Sequence, residues 1–153
     1  MFKRLFILIY ILFQFIYPSD SEEYVLLISM DGFRYDYLNK ANTPNFDLLI
    51  QSGVTSKALV PVFTSKTFPN HYSIATGMYA ENHGLIANTF YARDLKKSYA
   101  IRDRNAVENG EFYGGEPIWV TAERQGVITA SYYWVGSEAV IKGRQPTYWK
   151  KYD

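Results

Sequence analysis

The chain has 153 residues, 48% of them hydrophobic and 20% charged, with a net charge of +1. That composition fits one globular domain and excludes a disordered chain or one drawn to nucleic acid by bulk charge. There is no cysteine, so neither a disulfide framework nor a thiolate metal site can lie here.

Residues 1–21 read as a secretory signal peptide. Met1-Phe2-Lys3-Arg4 is a short basic start, Leu5 to Tyr17 is apolar except for Gln14, and Pro18-Ser19-Asp20-Ser21 brings in small and polar residues. The apolar run falls short of the ~20 residues of a membrane span. An uncleaved signal anchor is the alternative, because no A-x-A cleavage site follows. Either way, residues 22–153 face the lumen or the exterior.

Tyr24 to Met30 is a continuous apolar run ending at Asp31-Gly32, the pattern of a strand buried on both faces of a parallel sheet. Asp31 then lies just past the C-terminal edge, where open α/β sheets place ligands, although an Asx turn with Gly32 fits the position equally well. The spacing predicts a helix from Pro44 to Ser52, with Thr43 as N-cap, Gly53 as stop, and Phe46, Leu49 and Ile50 packed on the sheet. Val54 to Phe63 is extended and broken by Pro61.

A second helix is predicted to begin near Pro69 and stop at Gly77, with Tyr72, Ile74 and Ala75 facing inward. Thr67 and Phe68 then sit at its N-terminus, where free N–H groups and the helix dipole favour an anion. A hydroxyl there either caps the helix or attacks a phosphate, and capping is the commoner fate. Asn88 follows the short apolar piece Leu85-Ile86-Ala87, a place where a turn or cap role is the default. Thr89 to Gly115, polar and mixed in charge, reads as a long surface excursion. Glu116 to Gly126 repeats the helix grammar, and Val127 to Trp134 reads as another buried strand. The alternation of strand and helix predicts an α/β fold with a mostly parallel sheet and flanking helices. The last residues show no closing strand, as though the chain were cut inside a larger domain. His71 and His83, the only histidines, are too few to complete a metal site, and His71 reads as a packed or hydrogen-bonded residue.

Taken together, Ile28-Ser29-Met30-Asp31-Gly32-Phe33-Arg34, Lys66-Thr67-Phe68-Pro69-Asn70-His71-Tyr72 and His83-Gly84-Leu85-Ile86-Ala87-Asn88 resemble the ecto-nucleotide pyrophosphatase/phosphodiesterase family. Glu116-Pro117-Ile118-Trp119-Val120-Thr121-Ala122 and Tyr133-Trp134-Val135-Gly136-Ser137-Glu138 extend the match in the family's order, from about Val25 onward.

The resemblance implies the N-terminal portion of an alkaline phosphatase-like domain over residues 22–153, with a two-zinc site at the sheet edge. It implies Asp31 as a metal ligand and Thr67 as both metal ligand and nucleophile. Asn88 would hydrogen-bond a phosphate oxygen, and Phe68 and Tyr152 would form the walls of a nucleoside slot. The implied substrate is a nucleotide or other small phosphodiester, cleaved outside the cell. The family's remaining Asp and His zinc ligands would lie beyond Asp153, as would any membrane anchor, so the 153-residue chain alone is expected to be inactive. The alternatives are a choline phosphodiesterase and a catalytically inactive secreted interaction protein on the same scaffold. The Lys66-Thr67-Phe68-Pro69 run speaks against a sulfatase or phosphomonoesterase.

Overall fold

A computed structural model describes residues 23–152; the expected signal peptide lies outside them. Helix α1 spans Pro44–Ser52, α2 Thr67–Thr76, α3 Ala80–His83, α4 Arg104–Val107 and α5 Ile118–Arg124. The strands are β1, Thr89–Ala92, β2, Lys97–Ala100, β3, Ala130–Tyr132, and β4, Tyr148–Lys150. β1 and β2 form an antiparallel hairpin, whereas β3 and β4 pair in parallel.

Tyr24 to Met30 lies outside any strand, and Val25 is 91% exposed, so the predicted buried strand is absent here. The sequence pattern is right for a central strand, but a strand needs ladder partners, and none of the described residues supplies one. Helix α1 forms where predicted, with Pro44 at its first turn. Gly53 ends it in extended rather than left-handed backbone, and Thr43 makes no side-chain cap. Leu49 and Ile50 are exposed, leaving Phe46, half-buried and stacked on Phe33, as the helix's anchor. Arg34 and Lys40 both pair with Asp36 and close the turn that carries Phe33 and Tyr37.

The core lies further along the chain. Tyr72, Leu85, Tyr99, Val107, Phe112, Tyr113, Trp119, Val120 and Ile141 are all buried. Edge-to-face ring pairs join Tyr72 to Tyr113 and Tyr99 to Phe112 and Tyr113, each contributing about 0.5–1.5 kcal/mol beyond area burial. Their polar ends are bonded as well: Tyr72 donates to Gly114 O, and Tyr113 to Val107 O. Burial raises the hydroxyls of Tyr72, Tyr99 and Tyr113 above the ordinary tyrosine range, so the cluster stays neutral. Gly136 takes φ +86°, and a Cβ there would lie 3.0 Å from the Tyr72 ring.

The stretch from Thr89 to Gly115 is therefore no surface excursion. Its charges face solvent while alternate aromatics point inward, and the β1–β2 hairpin delivers Tyr99 to the centre of the core. Likewise β4 is a strand at a place where none was expected, paired with β3. One Glu123 oxygen ties that sheet to α5: it accepts the backbone N–H and hydroxyl of both Thr129 and Thr147, at 2.6–3.0 Å.

Candidate active site

Lys66 is the N-cap of α2 in extended backbone, and Thr67 is the first helical residue. Pro69 is buried in the first turn, two places later than a start at Pro69 would put it. The helix ends at Gly77 with φ +66°, as the sequence predicts, and buries Tyr72 and Ala75 but not Ile74. Thr67 does not cap the helix. Its hydroxyl donates to the carboxylate of Asp31 at 3.2 Å, across 36 positions of sequence.

Asp31 sits at the sharp turn after the extended segment, with Gly32 at φ +67°. The two side chains open onto a cleft of about 440 Å³, also lined by Lys66, Asn70, His71 and Asn88. The Asn88 amide oxygen accepts the Phe68 N–H at 3.1 Å. That leaves the NH₂ end as the donor Asn88 can offer a ligand.

Asn70, which sequence reasoning passed over, fixes the approach to Thr67. Its amide oxygen accepts the Val62 N–H at 2.7 Å, and its NH₂ donates to Thr64 O at 3.0 Å and Lys66 O at 2.9 Å. The Thr64 hydroxyl in turn donates to Ile86 O, linking this loop to the segment that carries Asn88. The position of Asn70, three residues past Thr67 and facing back over the helix start, was a readable signal.

His71 is hydrogen-bonded, as expected: its Nδ1 meets Thr67 O at 2.8 Å, and its ring lies edge-on to Trp134. A carbonyl only accepts, so Nδ1 carries the hydrogen. Trp134 Nε1 donates to His71 O, joining the Tyr133-Trp134 pair to the site helix. His83 is fully buried, bonded to Ser73 Oγ and to the Leu85 N–H, and burial lowers its pKa.

Phe68 is half-buried and packs towards Tyr99, whereas Tyr152 is exposed and meets Tyr133 edge-to-face at 5.5 Å. The two candidate slot walls thus have separate ring partners. Asp31 and Thr67 do converge, both offering hard oxygen donors to the cleft. Among the described residues no three His, Cys, Asp or Glu side chains group together. Asp31 and Thr67 by themselves bring together two oxygen donors, fewer than the about four ligands a zinc ion takes.

The model of the type I phosphodiesterase / nucleotide pyrophosphatase family matches residues 25–153. Ectonucleotide pyrophosphatase/phosphodiesterase family member 3 of Bos taurus is 43% identical over 84% of this chain and 15% of its own length. A venom phosphodiesterase of Naja atra is 44% identical over 84% of the chain and 16% of its own length. Among solved structures, human ectonucleotide pyrophosphatase/phosphodiesterase 5 superposes with a TM-score of 0.79 at 40% identity, covering 86% of this chain and 35% of that one. The murine protein, described as an inactive threonine-to-alanine variant in complex with AMP, gives 0.77 at 37% identity, covering 82% of this chain and 33% of that one. The chain thus spans about a third or less of the proteins it matches, and its α/β arrangement is a piece of an alkaline phosphatase-like domain. It belongs to the type I phosphodiesterase / nucleotide pyrophosphatase family.

Proposed function

We propose that this chain is the N-terminal portion, after a signal peptide, of an extracellular zinc-dependent hydrolase. The enzyme would cleave phosphodiester or pyrophosphate bonds of nucleotides, with Thr67 as nucleophile. The observation that carries the reading is the Thr67–Asp31 contact at a helix N-terminus on an open cleft.

The Asp31 carboxylate orients the Thr67 hydroxyl and leaves its lone pairs for phosphorus. Attack in line forms the Thr67 Oγ1–P bond as the bond from phosphorus to the leaving oxygen breaks, the hydroxyl proton passing to the Asp31 carboxylate that accepts its hydrogen bond. Water then cleaves the nucleotidyl-threonine and restores the hydroxyl. The Asn88 NH₂ and the backbone N–H of Thr67, at the positive end of α2, take up charge on the non-bridging oxygens. Two zinc ions, when bound, would supply the charge that activates a threonine hydroxyl and neutralises the leaving oxygen. Asp31 and Thr67 would each contribute one oxygen to them.

Phe68 and Tyr152 would flank the base, each worth roughly 1–3 kcal/mol on single-strand precedent. The AMP complex of the murine relative supports a nucleotide over a choline ester. Extracellular placement rests on relatives named as ecto- and venom enzymes.

The test is hydrolysis of a nitrophenyl phosphodiester by the complete protein. A chelator should abolish it, zinc should restore it, and Thr67→Ala should remove it. Full turnover by the Thr67→Ala protein would overturn the reading. Preference for glycerophosphocholine over a dinucleoside polyphosphate would overturn the substrate class alone.

A further inference from the structure

Glu138 is only 7% exposed, yet it takes no part in the chemistry above. Its two carboxylate oxygens serve different donors. Oε1 accepts the backbone N–H of Tyr152 at 3.0 Å, and Oε2 is ion-paired with Arg104. Arg104 also pairs with Glu108, which meets Lys151, the residue before Tyr152. Gln145 donates to Glu138 O and braces the intervening loop. The far side of Tyr152 is set by its ring contact with Tyr133, next to Trp134, which is bonded to the site helix.

A buried carboxylate is costly to keep, and here one oxygen is hydrogen-bonded to the backbone of an otherwise exposed segment while the other has only the Arg104 charge beside it. We propose that Glu138 is a positioning residue that sets Tyr152 for stacking on the nucleoside base, and so governs selectivity for base-bearing substrates. This rests on the nucleotide-hydrolase reading, because it takes Tyr152 as a slot wall.

Glu138→Gln is the sharpest variant. An amide keeps the shape but has a single acceptor oxygen, so it cannot serve both Arg104 and Tyr152. The complete protein is assayed with a nucleoside triphosphate and with a nitrophenyl phosphodiester that lacks a base. Tyr152→Ala should raise KM for the nucleotide roughly tenfold, the size of one lost base–ring contact. Glu138→Gln should raise it several-fold, and Glu138→Ala by more, with kcat and baseless-ester kinetics near wild type.

Combining Glu138→Gln with Tyr152→Ala should add little to Tyr152→Ala alone, because one acts through the other. A merely structural role would depress both substrates together, and that result overturns the inference. So does full additivity in the double variant, or no change in nucleotide KM. A wild-type protein inactive on both substrates would instead overturn the reading of the site itself.

Discussion

From Glu23 to Phe63 no residue is buried, whereas from Pro69 onward the chain seals Tyr72, Leu85, Tyr99, Tyr113 and Val120 inside. The first region is at least as apolar in sequence as the second: Val25, Leu26, Leu59 and Val60 are all more than 80% exposed. Apolar character therefore does not decide burial by itself. The second region brings its own partners, since α2, the β1–β2 hairpin and α5 converge on one aromatic cluster. The first offers single extended segments and one helix, with a small ring cluster of Phe33, Tyr37 and Phe46 at the surface. The candidate site spans the two: Thr67 and Asn88 come from the packed side and Asp31 from the open side. Thr67 is thus placed by the packed side, while Asp31 is held mainly by that one contact and its turn.

The contrast can be broken most severely at the site. Asp31→Ala and Thr67→Ala should each cost the complete enzyme on the order of a thousandfold or more in kcat/KM. Thr67→Ser should retain measurable turnover, since the hydroxyl remains. Equal activity of the Asp31→Ala protein would remove the open region from the mechanism.

Next comes packing. Tyr72→Ala should destabilise the chain by about 3–5 kcal/mol in denaturant unfolding. Leu49→Ala on the exposed face of α1 should change it by no more than about 0.5 kcal/mol. Similar losses at both positions would erase the distinction between the regions.

Asn70→Ala should fall between these, at about 1–3 kcal/mol, because Val62, Thr64 and Lys66 lose their partner. A kcat loss larger than the KM change would show that the loop also aims Thr67.

The smallest effect concerns pH. Hydrogen bonds from Thr129 and Thr147 hold Glu123 at about 2. A depressed carboxylate stabilises the fold above its unfolded value, near 4.5, and that contribution fades as pH falls towards 2. His83, buried and neutral, is also depressed, so its contribution is present above about 6.5 and lost below it. Unfolding temperature should fall in both windows, and Glu123→Gln should flatten only the lower one.

Much of the site was legible in the sequence. Pro69 and Gly77 marked α2, and Thr67, Asn88 and Asp31 stood at element ends, where polar side chains are released. The tertiary pairing was less legible. Tyr24 to Met30 carries a strand pattern, but a strand is completed by neighbours rather than by its own residues. The hairpin that delivers Tyr99 hid behind mixed charges on its solvent face, because alternation over four residues is a weak signal. Asn70 could have been read from its place one turn into α2, whereas Glu138 acts on the backbone of a residue 14 positions away, a pairing that no local pattern announces.

The central claim is that Thr67 attacks phosphorus beside Asp31. The most direct measurement is mass spectrometry of the complete protein, acid-quenched during turnover of a nucleotide substrate. A nucleotidyl adduct on the peptide containing Thr67, absent in Thr67→Ala, is the predicted result. Steady turnover with the adduct on another residue would contradict the account.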